Sequence, residues 1–197
     1  MSQENIVFSM LNNNKGYLTA KAARENGIQN YTLQRMEERG LIDRAARGLY
    51  VGADIIPDPF AVAQYRCPKG VFSHETALFL HDLSDRTPLQ LMMTIPSGWN
   101  TRLLSDDDLM FFYSVPKYAR LGVVNIETAS GLTVTAYDTG RTLCDCLRCV
   151  DKLDKDLVLT ALKRYMKTPG ADKAKLLEYA AVFKIRDIVL RYMEVLS

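Results

Sequence analysis

The sequence predicts an α+β protein: an N-terminal winged helix-turn-helix, then a larger domain in which a small, mainly antiparallel sheet is packed by helices. Three observations carry this. Residues 16–51 (GYLTAKAARENGIQNYTLQRMEERGLIDRAARGLYV) have the pattern of two short helices joined by a tight turn and followed by a basic hairpin. Four strand-like apolar runs lie between residues 89 and 137. From Asp138 onward, apolar residues recur at helical spacing.

Within the head, Ile6, Val7, Met10 and Leu11 have the spacing of a supporting first helix. Thr19 is a candidate cap for a helix that starts Ala20-Lys21-Ala22, and Leu18 stands where a hydrophobic staple forms. Gly27 sits where a left-handed terminator is needed, and Ile28 after it can pack back on the last turn. Asn30 is the candidate cap of the next helix, which runs to about Arg39 before Gly40 stops it. On that helix Leu33, Met36 and Gly40 share one face. Tyr31, Gln34, Arg35 and Glu38 point the other way, with Thr32 and Arg39 at the flanks.

A recognition helix needs donors and acceptors near its N-terminal end. Asn30, Tyr31, Thr32, Gln34 and Arg35 supply them for base edges. Leu41-Ile42 and Leu49-Tyr50-Val51 are the strand pieces of a wing, with Arg44 and Arg47 at its tip. Lys21, Arg39, Arg44 and Arg47 are the expected phosphate contacts, on double-stranded DNA. The alternative is a small three-helix protein-interaction module whose arginines are only solvated.

The chain has 197 residues and a net charge of +2, too small for a general polyanion binder. Residues 1–52 hold seven Lys/Arg against five Asp/Glu, and residues 53–197 hold eighteen of each, so the excess sits on the head. No apolar run is long enough to span a membrane, and no secretion signal is apparent. Four cysteines in a chain of this length do not make a secreted disulfide framework. A cytoplasmic protein is the expectation.

Residues 53–59, with Pro57 and Pro59, are the candidate linker between a domain at 1–52 and another at 60–197. The second domain should begin with helices at Phe60–Tyr65 and from Ser73 to about Leu83. Strands are expected at Leu89–Ile95, Leu109–Val115, Gly122–Thr128 and Leu132–Tyr137, the last two forming a hairpin through Ser130-Gly131. In the last strand Leu132, Val134 and Ala136 alternate with Thr133, Thr135 and Tyr137, which predicts one buried face. Three further helices are marked by Val158, Leu162, Tyr165 and Met166, then by Leu176, Leu177, Ala180 and Ala181 behind an Asp172 cap. The last carries Ile185, Ile188, Val189, Tyr192 and Val195.

Catalytic chemistry is not expected. His74 and His81 would lie roughly 10 Å apart along one helix, too far to share a metal, and are expected as packing or surface residues. Cys144, Cys146 and Cys149 lack a fourth ligand, and Leu143, Cys146, Leu147 and Val150 form an apolar stripe, which points to small buried cysteines rather than a zinc site. Asp106, Asp107 and Asp108 form a polar loop without the rest of a nuclease site. Glycine-rich phosphate loops and nucleophile motifs are absent, so no cofactor is expected. Trp99 is either an exposed contact or a core anchor. Arg141, Arg148, Lys152, Lys155, Lys163, Arg164 and Lys167, interleaved with aspartates, suggest a salt-bridged surface.

The chain resembles the AbiEi family, antitoxins of bacterial abortive-infection (type IV) toxin–antitoxin pairs. The stretches that carry the resemblance are residues 16–51, the run Val71-Phe72-Ser73-His74-Glu75-Thr76-Ala77-Leu78 continuing to His81-Asp82-Leu83, and Tyr137-Asp138 followed by Arg141-Thr142 and Asp145. The resemblance implies a head that represses its own operon by binding inverted repeats in the promoter. It also implies a second domain that counteracts a nucleotidyltransferase-like toxin encoded alongside, without requiring a stable complex. Two copies would meet the two half-sites, the dimer forming on DNA from a monomer in solution. The competing expectation is a winged-helix regulator whose second domain senses a small molecule.

Overall fold

A computed structural model describes residues 2–101, 104 and 108–196, excluding the side chain of Leu196. It is a mixed α and β structure with one sheet of three strands and one of five. The chain divides into two compact units, one made of residues 1–68 and 127–132, the other of 69–126 and 133–197. The division differs from the sequence boundary at 53–59: the helix that follows Pro57 belongs to the first unit.

The first unit runs α1 (Gln3–Asn13), β1 (Tyr17–Thr19), α2 (Ala20–Glu25), α3 (Asn30–Glu38), β2 (Ile42–Ala46), β3 (Leu49–Gly52) and α4 (Pro59–Arg66). Local chemistry sets the helix ends. Thr19 Oγ1 accepts the Ala22 N–H at 3.0 Å and so caps α2. At the other end Gly27, at φ 76°, turns the chain left-handed, which returns the Ile28 N–H to Ala23 O (3.0 Å) and the Gly27 N–H to Arg24 O (3.0 Å). Gly40, at φ 65°, repeats the device after α3, with Leu41 N–H on Met36 O at 2.9 Å. Gly40 is exposed, so the buried face of α3 is Leu33 and Met36 alone. These join Val7, Leu11, Leu18, Ala23, Ile28, Ile42 and Tyr50 in one core.

The sheet order is β1-β3-β2, antiparallel throughout. Strand β1 was not expected; its three residues contribute a single buried side chain, Leu18, too short a pattern to show in the sequence. Asp58, inside the expected linker, is buried. One carboxylate oxygen caps α4 (Phe60 N–H at 2.9 Å), the other accepts the Thr128 hydroxyl at 2.5 Å, and its N–H donates to Tyr17 Oη at 2.6 Å. Asp58 is therefore tied to the first unit, while Ala53, Asp54, Ile56 and Pro57 of the same segment are exposed.

The second unit contains β4 (Val71–Phe72), α5 (His74–Leu80), β5 (Leu91–Pro96), β6 (Leu109–Ser114), α6 (Pro116–Ala119), β7 (Val123–Glu127), β8 (Thr133–Tyr137), α7 (Thr139–Arg148), a 3₁₀ turn (Val150–Lys152), α8 (Lys155–Lys167), α9 (Lys173–Val182) and α10 (Arg186–Leu196). The sheet order is β6-β5-β4-β8-β7. The expectation of a mainly antiparallel sheet is corrected: β5 pairs with β6 in parallel from Leu91↔Leu109 to Pro96↔Ser114, and β4 with β8 in parallel, while β4 and β5 are antiparallel. Residues 97–108 between β5 and β6 are long enough for the crossover that parallel pairing needs. Tyr137, expected on the open face of β8, is fully buried and donates its hydroxyl to Ala119 O at 3.0 Å.

Helix α7 is the centre of this unit. Every residue from Gly140 to Leu147 is buried, so it is enclosed on all sides instead of showing one apolar stripe. Asp138 caps it through the Arg141 N–H at 2.8 Å. Leu143, Cys144, Cys146 and Leu147 pack with Leu78, Val158, Leu162, Leu176, Ala180 and Val189 in the main core. No helix among the described residues is long and apolar enough to cross a membrane.

Candidate nucleic-acid interface and interior polar site

The candidate interface of the first unit is built on α3. Its N-terminal cap is Gln29, with no side-chain cap bond, so Asn30 is the first helical residue and not the expected cap. That leaves the Asn30 amide outward. Asn30, Tyr31, Gln34 and Arg35 are all exposed, and the Arg35 guanidinium lies 5.7 Å from the Tyr31 ring centroid. Thr32 differs from the expectation: it is half-buried and its hydroxyl donates to Gln3 Oε1 on α1. It therefore fixes the helix pair and is not free for a base edge.

The expected phosphate contacts separate into two kinds. Arg39 is held by Glu4 at 2.6 Å and Lys21 faces Glu25 at 3.9 Å, so both are partly neutralised. Arg44 and Arg47 are exposed and have no carboxylate partner among the described residues. They do not share the hairpin tip: β2 extends to Ala46, so Arg44 stands on the strand opposite Tyr50, and only Arg47 lies in the turn with Gly48.

The second unit holds a polar cluster that sequence reasoning treated as surface. Arg141 is only 1% exposed, a correction to its expected place on a solvated basic face. Its Nε donates to Asp145 Oδ2 at 2.8 Å and its Nη1 to Tyr118 O (3.0 Å) and Leu121 O (3.2 Å). The guanidinium sits between the rings of Tyr137 and Phe183, 4.3 Å from each centroid. Arg148 reaches Asp145 Oδ1 at 3.2 Å. Burial pushes the Asp145 carboxyl above the usual carboxylate range, and the two guanidiniums oppose that rise.

His74 lies on the same cavity wall, buried, with its ring stacked on Phe112 at 3.6 Å. Ser73 does not cap α5 through its side chain; its Oγ accepts the Thr94 hydroxyl at 2.8 Å and meets His74 Nδ1 at 2.9 Å. Ser73 Oγ can accept from Nδ1 as well as from Thr94, so the pair holds the ring in place with the proton on either nitrogen. Burial first, then the charges of Arg141 and Arg148, hold His74 down at about 3 against an ordinary 6.5.

This ring is neutral in the folded chain at every pH above about 3, whereas the unfolded chain protonates it below about 6.5. Its contribution to stability is whole above 6.5 and is lost progressively as pH falls toward 3. His74→Asn, a residue that tolerates the left-handed backbone found here at φ 51°, is expected to flatten that decline by about 1.4 kcal/mol per pH unit. Urea denaturation of both proteins across the window measures it; parallel stability–pH curves would contradict the assignment.

The remaining candidates disperse. His81 Nε2 contacts Tyr137 O at 2.7 Å, a packing role. Cys144 and Cys146 are buried in the core, as the stripe suggested, and Cys149 is half-buried, with burial pushing its thiol up. Trp99 is half-buried under Lys69 Nζ, 5.0 Å from the ring centroid. Asp106 and Asp107 lie outside the described residues, and Asp108 is exposed. Arg164 pairs with Asp85 and Lys155 with Asp151, the ordinary ion pairs expected of that surface. His74, Arg141 and Asp145 line one cavity, and Thr142 donates to Tyr137 O at 3.1 Å. The signal that could have revealed the cluster is Arg141 and Asp145 one helical turn apart among apolar neighbours on every side.

No protein-family model matches the chain, and no curated protein matches it. The chain is similar to the crystal structure of the RV2827C protein from Mycobacterium tuberculosis, with a TM-score of 0.69 at 11% sequence identity. The likeness covers 97% of this chain and 77% of that one. At such an identity it bears on the fold alone.

Proposed function

We propose that the chain is a DNA-binding autorepressor and antitoxin of the AbiEi kind. Its first unit, a winged helix, would bind inverted repeats in its own promoter, and its second would counteract a nucleotidyltransferase-like toxin. The observation that carries the reading is the outward row Asn30, Tyr31, Gln34 and Arg35 at the start of α3, together with the exposed Arg44 and Arg47, which have no carboxylate partner among the described residues. The order α1-β1-α2-α3-β2-β3, with β3 central in its sheet, agrees with a winged helix that presents α3 to a major groove.

Arg35→Ala is expected to cost about 1–3 kcal/mol on the cognate repeat and to relax sequence preference. Arg47→Ala should weaken binding uniformly across sequences and reduce the salt dependence. Gel-shift titrations on matched and scrambled repeats measure both, and unchanged affinity in the two variants would sink the interface. The antitoxin half is tested by expressing the neighbouring gene with and without this chain: growth arrest relieved by co-expression supports it, and arrest that persists overturns it. A winged-helix regulator governed by a small molecule differs in one respect, an operator affinity that changes with ligand.

A further inference from the structure

The second unit contains a cavity of about 650 Å³, in the size range of small-molecule sites. Its lining is unusual for a structural void. Four cations, Arg141, Arg148, Lys152 and Lys184, face one carboxylate, Asp145, and that carboxylate already accepts from both arginines. Among the described residues Arg141 Nη2 has no hydrogen-bond partner, although the side chain is 1% exposed. No buried side-chain nitrogen or oxygen among the described residues lacks a partner, so Arg141 Nη2 is the part of the guanidinium open to the cavity, a donor available to what enters. Lys152 and Lys184 are exposed and, among the described residues, have no carboxylate of their own. The rest of the lining mixes rings, among them Phe112, Tyr118 and Phe183, with smaller side chains such as Thr94, Val115 and Val182.

We propose that this cavity binds a small organic phosphate with a planar aromatic part, a ligand of the nucleoside phosphate class. The excess positive charge calls for an anion, and four cationic donors in the lining suit a phosphate, whose several oxygens can accept more than one of them, better than a single carboxylate. The aromatic walls provide stacking area for a flat base, which inorganic phosphate would leave unfilled. His74, held by Ser73 in the wall, adds a neutral polar ring to the lining without adding charge. The site needs no DNA and stands apart from the operator-binding reading.

The test is calorimetric titration of the full chain, without DNA, with nucleoside 5′-monophosphates and diphosphates, the parent nucleosides and inorganic phosphate. Nucleoside phosphates are expected to bind, with nucleosides and inorganic phosphate each at least about ten-fold weaker, the equivalent of about 1.4 kcal/mol. Lys152→Ala/Lys184→Asn alters exposed side chains only, and asparagine accepts the left-handed backbone of residue 184, at φ 59°. This double variant should fold as the parent does and lose about ten-fold or more in nucleotide affinity. The proposal is overturned if no nucleoside phosphate binds, if inorganic phosphate binds as tightly as the nucleotides, or if the folded double variant keeps the parent affinity.

Discussion

Arg141→Ala is expected to lower the stability of the second unit by about 3–5 kcal/mol, the cost of breaking a buried ion pair by removing one partner. Three losses add together. Asp145 stays buried with only the half-exposed Arg148 left to it, the carbonyls of Tyr118 and Leu121 lose their donor, and the rings of Tyr137 and Phe183 lose the group between them. Trp99, the single tryptophan, belongs to this unit, so its fluorescence in a urea titration reports the change. Arg141→Met/Asp145→Leu should recover part of the loss because no buried charge is left unpaired, Arg148 being half-exposed, but not all of it, since the two carbonyls are still orphaned. A midpoint unchanged in Arg141→Ala would show that the pair is not buried as described.

Leu33→Ala is the corresponding expectation for the first unit, at about 2–5 kcal/mol for truncating a buried leucine that leaves a cavity. Leu33 is fully buried on the inner face of α3 and packs in a core of only nine buried residues, which has little capacity to close around a void. Hydrogen exchange is the fitting measurement: amides of α2 and α3 should lose protection, and operator binding should fall with them. The exposed Arg35 gives the contrast, because its removal should reduce DNA affinity with exchange rates unaltered. Retained protection in Leu33→Ala would refute the packing described for α3.

Legibility in the sequence follows the range of the interaction. Both ends of α2 and the C-terminal end of α3 were visible because Thr19, Gly27 and Gly40 act within a few residues of where they stand. Strand β4, two residues long, and the parallel pairing of β5 with β6 were not visible, because pairing is decided by partners far along the chain. The exposed part of the α3 surface followed from helical periodicity. Thr32 did not, since its partner Gln3 lies on another helix. Arg141 was misplaced for a physical reason: a charged side chain is nearly always outside, and only the complete burial of its neighbours reveals the exception.

The Thr128–Asp58 hydrogen bond has a consequence for biosynthesis. The chain leaves the first unit at residue 68 and returns to it for residues 127–132 before leaving again. A nascent polypeptide that has exposed only its first 68 residues holds the Asp58 carboxylate without the hydroxyl that satisfies its second oxygen. The first unit can reach its final form only after most of the sheet of the second has left the ribosome, so the order of synthesis is not the order in which the two units are completed.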